Sequence, residues 1–204
     1  MPAVPPFPDP TTTHIIVAAI AVIAGIGIGL LIAWGWRRYR LRRQRLALAA
    51  RITAVSVDHV RDVLVPDGNG GVLHLDFVLL TPRGILIIDL RDVAGNVFGS
   101  DQMSEWTVMD GAQRFTFINP QSALYDRVAA VRALAGSVPV EGRIVFTRRA
   151  MFPKGLPRFT LGEDSMLSDY PLGDREAAEK ATGQFRGYWE SLKGQFSPSP
   201  LRKP

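Results

Sequence analysis

The sequence predicts an α/β (α+β) domain, a mixed sheet with helices on both faces, behind one N-terminal transmembrane helix. Three observations carry this. An uncharged run of 22 residues, Ile15 to Trp36, opens onto an arginine-rich segment. Two apolar strands flank a Thr-Pro-Arg-Gly turn at 81–84. Short strand-like segments then alternate with helix-like ones toward the C-terminus.

Residues 1–13, MPAVPPFPDPTTT, are proline-rich and polar, and predict a disordered extracytoplasmic tail. Residues 14–36 follow as the span. At about 1.5 Å per residue, the uncharged run reaches roughly 33 Å, enough for a hydrocarbon core of about 30 Å. Trp34 and Trp36 stand at its end, where interfacial aromatics belong. Arg37, Arg38, Arg40, Arg42, Arg43 and Arg45 come next, and no Lys or Arg precedes the run in this sequence. That one-sided charge predicts an inner-membrane, single-pass protein with its N-terminus outside and its C-terminal domain in the cytoplasm. A secretory signal would carry its basic residues ahead of a shorter apolar core, so an uncleaved anchor is expected. The arginines predict anionic lipid as a partner. Ala21, Gly25, Gly29 and Ala33 recur every four residues, a small-residue stripe that permits self-association of the helix. No breaker interrupts LRRQRLALAARITAV, so a basic juxtamembrane helix is expected over 37–56.

The net charge of +5 is a property of that segment. Residues 37–51 hold seven of the 24 Lys and Arg and no acid. From residue 52 onward, 24 − 7 = 17 cations face 19 − 1 = 18 acids, Asp9 being excluded. A domain-wide basic footprint for nucleic acid is therefore ruled out. A local patch remains at Arg143, Arg148, Arg149, Lys154 and Arg158. With no cysteine in the chain, disulfides and thiolate metal sites are excluded.

A single folded domain is expected over 57–172. Its first strand is His59–Pro66, ended by the turn Pro66-Asp67-Gly68-Asn69-Gly70-Gly71. The strand pair of Val72–Gly95 follows, then short antiparallel strands at Asn96–Gly99, Glu105–Met109 and Arg114–Ile118. Pro120 starts a helix over Gln121–Ala135, with apolar residues at helical spacing. Gly142–Arg148 reads as a buried strand, and Ser165–Tyr170 as a short helix. Asp174 caps a last amphipathic helix, residues 173–193, and residues 194–204 read as a disordered tail. Gly68–Gly71 is not a phosphate loop, since no GK[ST] follows.

The polar residues of VLHLDFVLLTPRGILIIDLRDVAG carry the chemistry. Alternation puts His74 and Asp76 on one face of the first strand, and Asp89 and Arg91 on one face of the second. Antiparallel pairing about the turn can bring Asp76 and Asp89 to the same face. Two acids in an apolar sheet need compensation, which a divalent cation supplies. This acid, turn, acid-x-cation spacing resembles the metal-binding core of the restriction-endonuclease-like PD-(D/E)xK superfamily. The flanks narrow the resemblance to the nuclease-related domain family, NERD, whose core looks like IDxVLxxxxGxxVIExKNxxG. Here the matching stretches are Leu75-Asp76-Phe77-Val78-Leu79, then Gly84 to Asp92, then Gly95. Trp106, Asn119-Pro120 and Phe146-Thr147 follow in the family's order, and the resemblance covers roughly 58–170.

The resemblance implies a magnesium site at Asp76, Asp89 and the carbonyl of Leu90, with Arg91 as a catalytic neighbour facing phosphate. His74 reads as structural rather than as a ligand. Two departures qualify the site. The family's Glu-x-Lys is Asp89-Leu90-Arg91, and arginine cannot give up a proton to activate water. The family's preceding glutamate has no counterpart; only Asp58, Asp62 or Asp67 stands near its place. Gln121 and Tyr125 form a Q-x-x-x-Y like that of helicase-linked nucleases, but NERD domains place the Gln two residues later, at Ala123. Arg91 is expected to pair with Asp76 or Asp89 and neutralise the old site. The expected function is a membrane-anchored NERD module with a weak or inactive site, binding nucleic acid or protein at the cytoplasmic face. The rivals are an active magnesium-dependent nuclease and a scaffold keeping only the fold.

Overall fold

The computed structural model describes residues 10–200, without the side chains of residues 10–24, 26, 41, 42 and 45. The backbone divides into two units, residues 1–50 and 51–204. The first is occupied by one long helix, α1, Pro10–Thr53, whose last turn belongs to the second unit. The uninterrupted helix expected through the arginine segment is present, and it ends at Thr53 rather than near Ser56. Arg38 lies over the Trp34 ring at 5.2 Å and Arg43 over Tyr39 at 5.5 Å, one turn apart in each case. Among the described residues no helix is long and apolar enough to cross a membrane. Residues 15–24 of the expected span, Ala21 among them, have no described side chains, and tail residues 1–9 lie outside the described residues. Gly25, Gly29 and Ala33 are exposed on α1.

The second unit folds as two sheets. Its strands are β1 Asp58–Pro66, β2 Val72–Thr81, β3 Gly84–Arg91, β4 Gly95–Phe98, β5 Glu105–Asp110, β6 Gln113–Ile118, β7 Val140–Phe146, β8 Ala150–Met151, β9 Thr160–Gly162 and β10 Ser197–Pro198. Its helices are α2 Pro120–Leu134, α3 Glu163–Asp169, α4 Arg175–Thr182 and α5 Arg186–Gln195. The six-stranded sheet runs β10-β1-β2-β3-β7-β9 and the four-stranded sheet β6-β5-β4-β8. One mixed sheet was expected; there are two, each of them mixed. The first is parallel at β3–β7 and β7–β9, the second at β4–β8. The split falls at Gly95. Its φ of 106° lies in a region that favours glycine, and a Cβ there would strike the Met109 carbonyl.

The hairpin forms as the sequence predicts, with Phe77 opposite Ile88 and Thr81 opposite Gly84. Gly84, at φ 119°, lets the turn pass against the Pro139 carbonyl. Val78, Leu80, Ile85 and Ile87 join the main core with Leu124 and Val131 of α2. The alternate positions Phe77, Leu79, Leu86 and Ile88 are buried outside that cluster, as are Ile52, Val55 and Met166. Asn119 caps α2 by accepting the Gln121 N–H at 2.9 Å, with Pro120 in the first turn.

The C-terminal region differs from expectation. Asp174 does cap α4, accepting the Ala177 N–H at 2.9 Å. The helix then breaks in a 3-10 turn, Gly183–Phe185, at a residue that favours helix poorly. After the break Trp189 and Leu192 become fully buried. Trp189 and Lys193 both donate to Asp58 at the start of β1, at 2.7 and 3.0 Å. The expected disordered tail instead supplies β10, which pairs the outer edge of β1, Val63 opposite Pro198. An edge position is where proline is tolerated.

Candidate functional site

The register of the hairpin, carried one step past Phe77 and Ile88, sets Asp76 across from Asp89. Both face α2, sharing the alternation of Val78 and Ile87. The backbone N–H of Leu90 donates to Asp76 Oδ2 at 2.8 Å, tying the two strands at the acids. Asp89 is 4% exposed, and its Oδ2 receives two guanidinium groups, Arg91 at 2.8 Å and Arg127 at 3.0 Å. Arg127 comes down from α2 and also donates from Nε to the His74 carbonyl at 2.7 Å. His74 Nδ1 stands 3.5 Å from Asp76 Oδ1. Among the described residues, His74 Nε2 and Arg91 Nε are buried without partners.

These charges are not equivalent. Burial pushes the Asp76 carboxyl above the ordinary carboxylate value, and the neighbouring Asp89 adds to that. The Leu90 N–H, His74 and Arg127 act in the opposite direction without reversing it. Asp89 has the compensation that a buried charge requires, in two charge-assisted hydrogen bonds.

Magnesium asks for hard oxygen ligands with charge left to offer. Here the Asp89 oxygen faces two cations, and Asp76 spends one oxygen on a backbone N–H. Among the described residues, no group of three or more His, Cys, Asp or Glu is arranged to hold a metal. The donor set in this arrangement does not fit the ion that the acid spacing implied.

Of the expected site residues, the fold gathers Asp76, Asp89, Leu90 and Arg91. Gln121 and Tyr125 go elsewhere. Gln121 is buried and donates to Asp101 at 2.9 Å and to the Arg158 carbonyl at 2.8 Å, fastening two loops. Tyr125 is exposed and packs edge-on against Phe159. Asp58 and Asp67 are committed as well, Asp58 to Trp189 and Lys193, Asp67 to its own turn through Asn69 and Gly71. Asp62 sits at φ 52° on β1, where Ser199 donates to its carbonyl. Arg127 is the residue that sequence reasoning missed, though the signal was present. Shifting the Q-x-x-x-Y pattern by two residues moves its first position to Ala123 and its last to 127. The expected basic patch is divided: Arg148 is paired with Asp164 and Arg149 with Asp92, while Arg143 and Arg158 lie over the Phe159 ring.

An α+β domain with an acid pair on adjacent strands of one hairpin, roofed by a helix, is the class of protein that this fold and site define. The model of the nuclease-related domain (NERD) matches residues 43–147, more than half of the 204 residues. The chain belongs to that family. The matched stretch holds the whole acid cluster and α2, and it stops before α3 to α5. No curated protein and no solved structure matches the chain.

Proposed function

We propose that this chain is a membrane-anchored NERD module whose acid pair is neutralised from within, serving as a binding module rather than a magnesium-dependent nuclease. One observation carries the reading: Asp89 receives Arg91 and Arg127 on a single carboxylate oxygen. Two fixed guanidinium groups supply the positive charge that a divalent ion would bring, and neither yields a neutral amine to activate water. Asp76, held toward its protonated form by burial and by Asp89, contributes still less charge to a metal.

The anchor rests on the sequence. An uncharged run from Ile15 to Trp36, with tryptophans at its end and six arginines after it, suits a span whose following domain lies on the cytoplasmic side. Arg37, Arg38, Arg40 and Arg43 are exposed on α1, as binding to anionic headgroups requires. The stripe of Gly25, Gly29 and Ala33 offers a face on which two such helices can meet.

The test is a cleavage assay of the purified full chain in magnesium or manganese, beside Asp89→Ala and Arg91→Lys. The expected result is no cleavage by the native chain. Robust cutting that disappears in Asp89→Ala would establish the nuclease and end this reading.

A further inference from the structure

Helical spacing sends Arg127 down one flank of α2 and Tyr125 and Arg132 down the other. On that second flank α2 and β7 enclose a pocket of about 470 Å³, whose walls include Tyr125, Val128, Arg132, Glu141, Arg143 and Phe159. Its size suits a nucleotide-sized ligand. Rings and guanidinium groups meet at its Phe159 and Arg143 wall and continue beyond it. Arg158 lies 5.4 Å from the Phe159 ring and Arg143 6.0 Å from the same ring. Arg143 is also 5.8 Å from Tyr170, and Arg83 lies over Tyr170 at 4.2 Å. Tyr125 meets Phe159 at 5.4 Å and 78°, edge to face, and is 53% exposed.

A second observation is independent of the contacts. Phe159 adopts φ 60°, in the left-handed region that bulky side chains avoid. Such strain costs about 1–3 kcal/mol and concentrates at ligand sites. Here it holds the ring between Tyr125 and the two arginines. Glu141 is the acid of the pocket wall, and it is engaged by Arg143 at 3.2 Å and the Tyr170 hydroxyl at 3.0 Å. Arg132 donates to the Val140 carbonyl, which leaves other N–H groups of its guanidinium for an anion.

We propose that this arginine–aromatic ladder binds single-stranded nucleic acid, an unpaired base stacking on Tyr125 while the flanking phosphates meet Arg132, Arg143 and Arg158. Stacking on a ring needs a base face that a duplex keeps covered, and the cations track the backbone. The inference rests on the binding-module reading and gives it a surface apart from the acid pair.

The experiment is fluorescence anisotropy of the full chain in detergent micelles, in EDTA, with a short labelled oligothymidylate and with a duplex of equal length. Loss of one stacked base in Tyr125→Ala should weaken the single strand about tenfold. Tyr125→Phe should keep native affinity. Arg158→Ala should reduce the salt dependence by about one phosphate contact. Duplex binding should change little in either tyrosine variant. Native affinity in Tyr125→Ala overturns the proposal, as does an equal loss for the duplex. Adding magnesium afterwards reads the other question separately: cutting of the strand would sink the silent-site reading whatever the affinities had been.

Discussion

At Asp89 a carboxylate that is 4% exposed is held by two arginines from different elements, one two residues along its own strand and one from the roofing helix. Removing one partner from a buried ion pair costs about 3–5 kcal/mol, because a charge is left short of compensation. Arg127→Ala leaves Arg91 in place, so about 2–4 kcal/mol is expected, or roughly 5–15 °C in the melting temperature of a domain this size. Near-ultraviolet circular dichroism on heating will read it, and an unchanged melting temperature would show that the contact is incidental. The same substitution leaves the Asp89 oxygen facing one cation instead of two, so manganese should raise the melting temperature of Arg127→Ala and not that of the native chain. Asp58 carries the opposite lesson to Asp76. Burial raises its pKa, but donors from Trp189, Lys193 and the His59 backbone outweigh burial and hold it below the ordinary 3.8. A folded pKa below the unfolded one means stability that is present above pH 3.8 and is lost as pH falls through the folded value. Asp58→Asn should therefore be less stable than the native chain at pH 7, and the gap should close below about pH 4. Asp76, raised by burial, has the reverse sign: its contribution fades as pH rises through its folded value.

At the scale of elements, the sequence was most legible where short-range rules fix geometry. The hairpin of β2 and β3 follows from two apolar runs and a four-residue turn, and its register alone pairs Asp76 with Asp89. The caps of α2 and α4 were readable from Asn119-Pro120 and from Asp174. What could not be read depends on distant partners. The pairing of Arg91 with Asp89 lies within one strand and was expected, whereas Arg127 enters only because Leu124 and Val131 turn α2 against the sheet. Ser197-Pro198 looks like a loose tail until the outer edge of β1 is there to pair with it. β8 and β9, two and three residues long, carry too little pattern to announce themselves. Gln121 shows the hazard of a motif: the residues match, yet the side chain serves Asp101 and Arg158.

For the whole molecule, charge is divided along the chain rather than spread over it. Seven arginines in residues 37–51 precede a domain with 17 cations and 18 acids. The expected consequence is that lipid attraction belongs to the segment and is largely separate from whatever the domain binds. A peptide of residues 37–51 should bind phosphatidylglycerol vesicles and leave them as salt rises, at about 1 kcal/mol for each arginine near the surface. Equal binding to neutral vesicles would contradict this. The topology has its own readout: a reporter fused after Pro204 should be active only if it is cytoplasmic, and activity confined to the periplasm would refute the orientation.

The closure of β1 by β10 and by α5 also has a meaning in time. Asp58 meets Trp189 and Lys193, 131 and 135 residues later in the chain, and Val63 waits for Pro198. A ribosome adding about 5–20 residues per second takes roughly 7–26 s to make the stretch from Asp58 to Trp189. β2 arrives early enough to cover the inner edge of β1 almost at once. The outer edge and the Asp58 carboxylate stay open until synthesis has passed α5. The nascent domain thus spends its youth with one unpaired strand, and that interval is when another copy's open edge could pair with it.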